Sequence, residues 1–382
     1  MLTDRSGSRV THAAVVAAAD APFILQDLTL AAPRPDEVIV ELEACGMCHA
    51  DLSAQAGHIP FPLPGVLGHE GVGRVVEIGA AVVDISVGQR VVISFTSCGR
   101  CPACVDAKPG YCVQWPVLNL VGGGRADGSS SLSCNAHPVH SHFFGQSSFA
   151  SHIATTSRAV VPVPDDIPAA ILAPLGCGVQ TGVCAATDVL KPRNGDRVAV
   201  FGAGAVGMSA LMGLALTGAT QIIAVDIHPG RLSAALELGA TDVINAAEQD
   251  VAAEIARLTG GAGLNGSIET TGNCRVLETA IAALAAVGTC VVVGVPGHGD
   301  RGSFDVMDLV ARGLRIIGTN QGDANPRTVI PRLVELYRQG RLPIERLVTT
   351  FAFEDINEAR TASLDGSVVK AVLTMPTDRT KG

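Results

Sequence analysis

Apolar and polar residues alternate along residues 36–44, DEVIVELEA, which is the period of a strand with one face buried. Two further short apolar runs, GRVVEIG at 73–79 and QRVVISF at 89–95, are bounded by glycines and turn residues. Many short strands punctuated by Gly and Pro over residues 1 to about 178 predict a small barrel-like all-β unit. After Thr181 the pattern changes. RVAVF at 197–201 reads as a buried strand, followed by a glycine-rich turn and an apolar helix over 206–217. A strand at 221–226, a helix at 231–238 and a strand at 242–244 continue the series, and the alternation runs on through 290–295 and 314–318. Alternating strands and helices predict a parallel, doubly wound sheet. Beyond about residue 322 the pattern is mixed, with strands at 347–351 and 368–374 that rejoin the first unit. The expected division is therefore 1–178 with 322–382 as one domain and 179–321 as the other. The stretch GGGRADGSSSLS at 122–133 reads as a flexible surface loop on composition. The chain has no internal repeat.

The 382 residues are enough for two domains with separate cores. Hydrophobic residues make up 47% and charged residues 16%, so the chain is globular rather than disordered. With 27 basic against 36 acidic residues, a net charge of −9 argues against a nucleic-acid partner and leaves no polybasic face for a membrane. No cationic segment precedes an uninterrupted apolar core at the N-terminus, so no secretory signal is expected. No uninterrupted run of about 18 apolar residues predicts a transmembrane helix. A cytoplasmic location follows, and there the 11 cysteines point to metal thiolates rather than disulfides.

Four of those cysteines, Cys98, Cys101, Cys104 and Cys112, stand at C-x2-C-x2-C-x7-C within a lobe of about residues 95–115. Four converging thiolates suit a tetrahedral zinc ion with no open position, a structural site. Pro109 and Gly110 supply the bend that returns Cys112 to the others. An iron–sulfur cluster would want a Pro directly after the last cysteine, and disulfides an oxidising compartment. A closed zinc site does no chemistry, so the reaction has to be sought elsewhere.

The turn after 197–201 reads Gly202-Ala203-Gly204-Ala205-Val206-Gly207, a G-x-G-x-x-G between a strand and a helix. Gly202 allows the tight turn, Gly204 the approach of a pyrophosphate and Gly207 the packing of helix on strand, while the helix end opening at Ala205 and Val206 holds the phosphates. Asp226 ends the next strand about 20 residues on, where a carboxylate accepts the ribose hydroxyls and repels a 2′-phosphate. NAD is thus preferred over NADP, although His228 and Arg231 just beyond soften that preference, and Arg231 can instead bind the adenine ribose.

Three separate places carry ligands for another metal: Cys48 just after a predicted strand, His69 in GHEGVG, and Cys177 where the first unit hands over to the second. Two thiolates and an imidazole leave one position for water or substrate, the catalytic arrangement of zinc. Each residue alone also fits a bland role: Cys48 or Cys177 as a small buried hydrophobe and His69 as a satisfied core histidine.

GHEGVGRVVEIGAAV at 68–82, the four-cysteine lobe, the Gly176-Cys177-Gly178 junction and the dinucleotide turn, in that order, resemble the zinc-containing alcohol dehydrogenases of the medium-chain dehydrogenase/reductase family. The resemblance covers essentially the whole chain. It implies a GroES-like β-barrel catalytic domain with a Rossmann cofactor domain inserted, and a homodimer or homotetramer. It implies Cys48, His69 and Cys177 as catalytic zinc ligands, so two Zn2+ per chain, with Asp51 and Glu70 behind them and Asp51 orienting His69. His49 and Lys370 match the family's basic residues at the cofactor pyrophosphate, and Val295 lies where a cofactor contact is expected. One departure stands out. Ala50 occupies the position where the family usually has Ser or Thr to take the alcohol proton, and Ser53 stands where a second relay residue, often His, is found. Losing a positioned proton acceptor costs on the order of 10²-fold in rate. The length between Cys112 and Phe149 and the run FFGQSSFA at 143–150 look like the long-lobe branch of the family, while VVGVP at 292–296 and the tail from Leu333 to Lys370 look closest to benzyl and terpenoid alcohol dehydrogenases. The implied reaction is hydride exchange between NAD and a bulky primary alcohol, benzylic or allylic. The rivals are a thiol-dependent formaldehyde dehydrogenase and a dinucleotide-binding relative without chemistry.

Overall fold

The computed structural model describes residues 9–297 and 299–376. The first eight residues of the N-terminal stretch, on which part of the signal-peptide reading falls, lie outside the described residues. The chain divides into two compact units. One runs up to Cys177 and takes in Asn325–Val334 and the chain from Ile344 on, and the other holds Gly178–Ala324 and Glu335–Pro343.

The first unit is built on two β-sheets. In one, Gly65–Val66, Arg9–Val16, Phe23–Leu30, Leu132–Cys134 and His137–Val139 lie side by side in that order. In the other, the order is Val160–Pro162, Arg90–Ile93, Glu70–Ile78, Glu37–Gly46, Lys370–Thr374 and Val348–Ala352, with His152–Thr156 also paired to Glu37–Gly46. The alternating stretch at 36–44 is the centre of this sheet, contacted by three strands. Lys370–Thr374 runs antiparallel to it, bringing Val372 opposite Gly46. The tail thereby covers an edge that would otherwise stay unpaired. The inward side chains form one apolar core, from Ala13 and Val38 through Phe149 to Phe353 and Leu373.

The second unit is a parallel six-stranded sheet in the order Asp242–Asn245, Gln221–Asp226, Arg197–Phe201, Leu264–Glu269, Leu284–Val292 and Arg315–Gly318. This is the doubly wound order, reversing beside Arg197–Phe201 at the point where such folds bind ligands. Ala199, Phe201, Ile223, Val225 and Cys290 fill its core.

The stretch 122–133 is not the flexible loop its composition suggested. Arg125 grips the Glu37 carboxylate with Nε and Nη2, both at 2.7 Å, and Arg34 reaches Asp127 at 2.6 Å. Ser131 and Leu132 are buried. A bidentate ion pair outweighs the freedom of the glycines. Among the described residues no single helix is long and apolar enough to cross a membrane.

Candidate active site

The strand Glu37–Gly46 ends where the helix His49–Gln55 begins, and Cys48 is the residue between them that caps the helix. Asp51 in the first turn of that helix accepts the backbone N–H of Cys48 at 2.8 Å through Oδ2. Its Oδ1 accepts the N–H of Gly68 and Nδ1 of His69, both at 2.9 Å. Asp51 and His69 are fully buried. With Nδ1 donating to a carboxylate, Nε2 is the nitrogen left to act as a ligand, and it is buried with no partner among the described residues. Cys177 follows the turn Ala173–Gly176, whose last carbonyl takes the Ser94 hydroxyl at 2.7 Å.

These segments bring Cys48, His69, Glu70 and Cys177 together, with ligand atoms all within 4.8 Å of one another. Hydrogen bonding from Cys177 holds the Cys48 thiol well below its ordinary pKa against burial, while the same pairing and burial push Cys177 up. Burial opposes a charge on His69, yet Asp51 outweighs it and raises the imidazole to about 10. A thiolate, a second thiol and an orphaned imidazole nitrogen in one buried cluster fit a zinc ion well: the donor set is soft, and the unpaired Nε2 otherwise has no compensation for its burial.

Lys370 is buried behind the metal ligands. It is 2% exposed, and Nζ donates to Glu70 Oε1 and Oε2 at 3.0 and 2.9 Å and to the Met47 carbonyl at 3.1 Å. All three of its protons are used, in a buried ion pair with Glu70 and a bond to the Met47 carbonyl. Glu70 in turn spends both oxygens on Lys370.

In the lobe, Cys98, Cys101, Cys104 and Cys112 also converge, with Sγ–Sγ distances of 3.5 Å for Cys101–Cys104 and 4.0 Å for Cys98–Cys104. All eleven cysteines are free. Backbone N–H groups of Cys98 and Gln114 point at the Cys112 sulfur at 3.3 and 3.4 Å. The N–H groups of Val113 and Cys104 lower Cys101 to about 6, whereas burial pushes Cys112 up to about 12. Four thiols this close, with Cys98 and Cys101 both lowered by backbone N–H donors, fit a closed metal site.

The dinucleotide turn lies between the strand Arg197–Phe201 and the helix Ala205–Ala215. Gly202 has φ +92°, and a Cβ on Gly207 would stand 1.8 Å from the Gly202 carbonyl, so both must be glycine. A Cβ on Gly204 would meet nothing within 4 Å: the space before the helix end is open, as a pyrophosphate needs. Asp226 tightens the turn by accepting the Ala203 N–H at 2.6 Å and the His228 N–H at 2.9 Å. Arg231, in the first turn of the next helix, keeps a buried Nε without a partner among the described residues. Val295 is exposed in the segment after the strand Leu284–Val292, while His49 belongs to the first unit.

Three features have no role in the motif pattern. Phe144 stacks on the His69 ring at 4.3 Å, with Trp115 edge-on to Phe144 and Phe61 edge-on to Phe143, so aromatic rings crowd the metal ligands. Gln146 and Ser94 hydrogen-bond the backbone around those ligands. The FFGQSSF run was legible, but its contacts depend on a backbone that the alternation does not encode.

A β-barrel-type unit carrying a Cys–His–Cys cluster and a cysteine lobe, joined to a dinucleotide-binding unit, defines a zinc-dependent dehydrogenase. Residues 34–165 match the alcohol dehydrogenase GroES-like domain and residues 205–338 the zinc-binding dehydrogenase domain. The chain is 40% identical over 363 residues to the geraniol dehydrogenase of Castellaniella defragrans, covering 95% of this chain and 97% of that one. Its fold superimposes on the benzyl alcohol dehydrogenase of Acinetobacter calcoaceticus with a TM-score of 0.93 at 41% identity, covering 96% and 100% of the two chains. An alcohol dehydrogenase zinc-binding domain protein from Burkholderia ambifaria gives the same TM-score at 46% identity, covering 97% and 100%. The chain belongs to the zinc-containing alcohol dehydrogenases of the medium-chain dehydrogenase/reductase family.

Proposed function

We propose that this alcohol dehydrogenase interconverts bulky primary alcohols, benzylic or allylic, and their aldehydes with NAD, using two zinc ions per chain. The observation that carries the reading is the convergence of half-buried Cys48 with buried His69 and Cys177, the unpartnered Nε2 of His69 lying among the thiols. When bound, zinc there supplies the positive charge that favours the alkoxide form of an alcohol at neutral pH, and the nicotinamide takes or returns the hydride. Asp51 fixes the His69 tautomer, and the Glu70–Lys370 pair balances charge behind the thiolates. The lobe cysteines hold the second, structural zinc. In this reading the first unit is the catalytic domain and the second the cofactor domain. Gly202, Gly204, Ala205, Val206 and Gly207 bind the pyrophosphate, aided by His49. Asp226 selects NAD by repelling a 2′-phosphate, and Arg231 and Val295 complete the contacts.

Phe143 and Phe144 pack against the His69 ring, an aromatic, apolar surround for the ligand cluster that suits a bulky apolar alcohol. The names of the relatives point the same way. A cytoplasmic homo-oligomer is part of the proposal: Arg315–Gly318 is an edge strand, and Phe304, Val306, Met307 and Val310 nearby in sequence are exposed. The test is an NAD-linked turnover screen over ethanol, benzyl alcohol and geraniol, with zinc content measured on the same sample. About two zincs per chain and a preference for the larger alcohols are expected. A strong preference for ethanol overturns the substrate class, and one zinc per chain overturns the catalytic reading.

A further inference from the structure

The segment Ser141–Ser148 is wound against its own preferences. His142, Phe144 and Ser147 adopt left-handed φ of 64°, 50° and 63°, a region that costs energy for residues with a side chain. Its surroundings over-determine it. The Ser147 hydroxyl donates to the Val66 carbonyl at 2.6 Å and accepts from the Phe143 N–H at 2.9 Å. The N–H groups of Ser148 and Phe149 reach the Gly68 and Leu67 carbonyls at 2.7 and 2.9 Å, and Thr155 holds the Gly145 carbonyl at 2.7 Å. This winding delivers two side chains to the metal cluster: the Phe144 ring onto the face of His69, and the carboxamide of Gln146 onto the backbone.

Gln146 is 2% exposed, and every hydrogen-bonding position of its amide is occupied. Nε2 donates to the carbonyls of His69 at 2.9 Å and Ser94 at 3.2 Å, and Oε1 accepts from the Gly71 N–H at 3.1 Å and the Ser148 hydroxyl at 2.5 Å. Flipping the amide would set donors against donors and carbonyl against carbonyl, so the network fixes its orientation. Ser94 carries the link onward: its hydroxyl donates to the Gly176 carbonyl at 2.7 Å, immediately before Cys177. A single side chain therefore ties the backbone of one metal ligand to a residue that grips the backbone at another.

We propose that Gln146 is a positioning residue for the catalytic metal, bracing His69 directly and Cys177 through Ser94 so that imidazole and thiolate keep a common distance. The proposal rests on the Cys48–His69–Cys177 metal site argued above. Residues that orient ligands without touching the metal are typically worth ~10–100-fold in metal affinity. Gln146→Met keeps the shape and removes all four hydrogen bonds. Ser94→Ala keeps Gln146 and removes the hydroxyl that bonds the Gly176 carbonyl.

The test replaces zinc by cobalt(II) in the full-length protein, records the visible spectrum, and times metal release to a chelator. Gln146→Met should release the catalytic metal roughly 10–100-fold faster, with a shifted cobalt band and a lower kcat, while KM for NAD and release from the cysteine lobe stay as in the wild type. Ser94→Ala should move the same readouts in the same direction by less. Ser267→Ala in the second unit, which removes a buried hydrogen bond to the Ala280 carbonyl, controls for destabilisation alone and should leave release and spectrum unchanged. Wild-type release and spectrum in both Gln146→Met and Ser94→Ala overturn the proposal. If Gln146→Met does not fold, Ser94→Ala alone decides. A wild type that never loads a second metal instead overturns the functional reading beneath it.

Discussion

Lys370→Met isolates the ion pair behind the metal ligands. The ammonium makes three hydrogen bonds of 2.9–3.1 Å, two of them to Glu70, and the partners are 2% and 0% exposed. Removing the cation leaves a fully buried carboxylate without its ammonium partner. Breaking a buried pair in this way costs about 3–5 kcal/mol, a large share of the ~5–15 kcal/mol that holds a domain folded. The pH dependence follows from the two groups. Burial disfavours the Lys370 ammonium, but Glu70 and the Cys48 thiolate hold it above its ordinary pKa. Burial pushes Glu70 up, and Lys370 opposes that push. Without Lys370, Glu70 keeps a raised folded-state pKa. A group of that kind stabilises the fold only while it is protonated, so the deficit is small in acid and grows as pH rises through that pKa. Trp115 is the chain's single tryptophan and lies in the first unit, so its fluorescence during urea unfolding reports the relevant domain. Replacing both partners, Glu70→Leu with Lys370→Met, should recover most of the loss because no charge remains to be buried. KM for NAD should not change in Lys370→Met. A loss below about 1 kcal/mol, or a double variant no better than the single one, refutes the reasoning. A raised KM for NAD at unchanged stability restores the pyrophosphate role expected from the motif.

Gly204→Ala should fold with wild-type stability and raise KM for NAD, because its Cβ enters open space that the pyrophosphate needs. Gly207→Ala should lower the melting temperature, because its Cβ lands 1.8 Å from a carbonyl; differential scanning fluorimetry and NAD titration separate the two. Arg125→Met should cost about 3 kcal/mol near neutral pH by taking the bidentate cation from buried Glu37, which keeps His142 and the Arg34 N–H. Burial raises the Glu37 carboxyl, but His142, Arg125 and the Arg34 N–H carry it down to about 2. That stabilisation is complete above the ordinary carboxylate range and is lost as pH falls towards about 2, so wild type and variant should converge in acid unfolding curves. Metal uptake by protein whose lobe is already loaded should release about two protons at pH 7, one from His69, which titrates at about 10, and one from the raised Cys177 thiol. Calorimetry in buffers of different ionisation enthalpy reads this number, and release of none shows that the metal-free cluster is not the thiolate–imidazolium arrangement derived above.

The chemistry-bearing residues were legible because each sits in a local pattern. The C-x2-C-x2-C-x7-C spacing closes on itself within one loop, and the glycine turn follows an apolar strand and opens a helix. The alternation at 36–44 likewise gave the central strand of its sheet. Other features were not local. Leu264–Glu269, next to Arg197–Phe201 in the parallel sheet, contains Asn265, Gly266 and Ser267 and carries no strand signal. It is a strand because its neighbours pair with it, because Leu190 fills the space a Cβ on Gly266 would take, and because Ser267 finds the Ala280 carbonyl. The glycine-rich 122–133 run reads as mobile on composition, but its Arg125 grips Glu37, nearly ninety positions earlier in the chain. The family resemblance matches Lys370 to a basic residue at the cofactor pyrophosphate, and the packing of the tail strand against Gly46 is what brings its ammonium to Glu70. Composition and spacing thus determined which groups could do chemistry, since those signals reside in neighbouring residues. Which charges compensate one another, and which backbone carbonyls Gln146 holds, depended on burial and on distances between remote segments, and these exist only once the chain has closed.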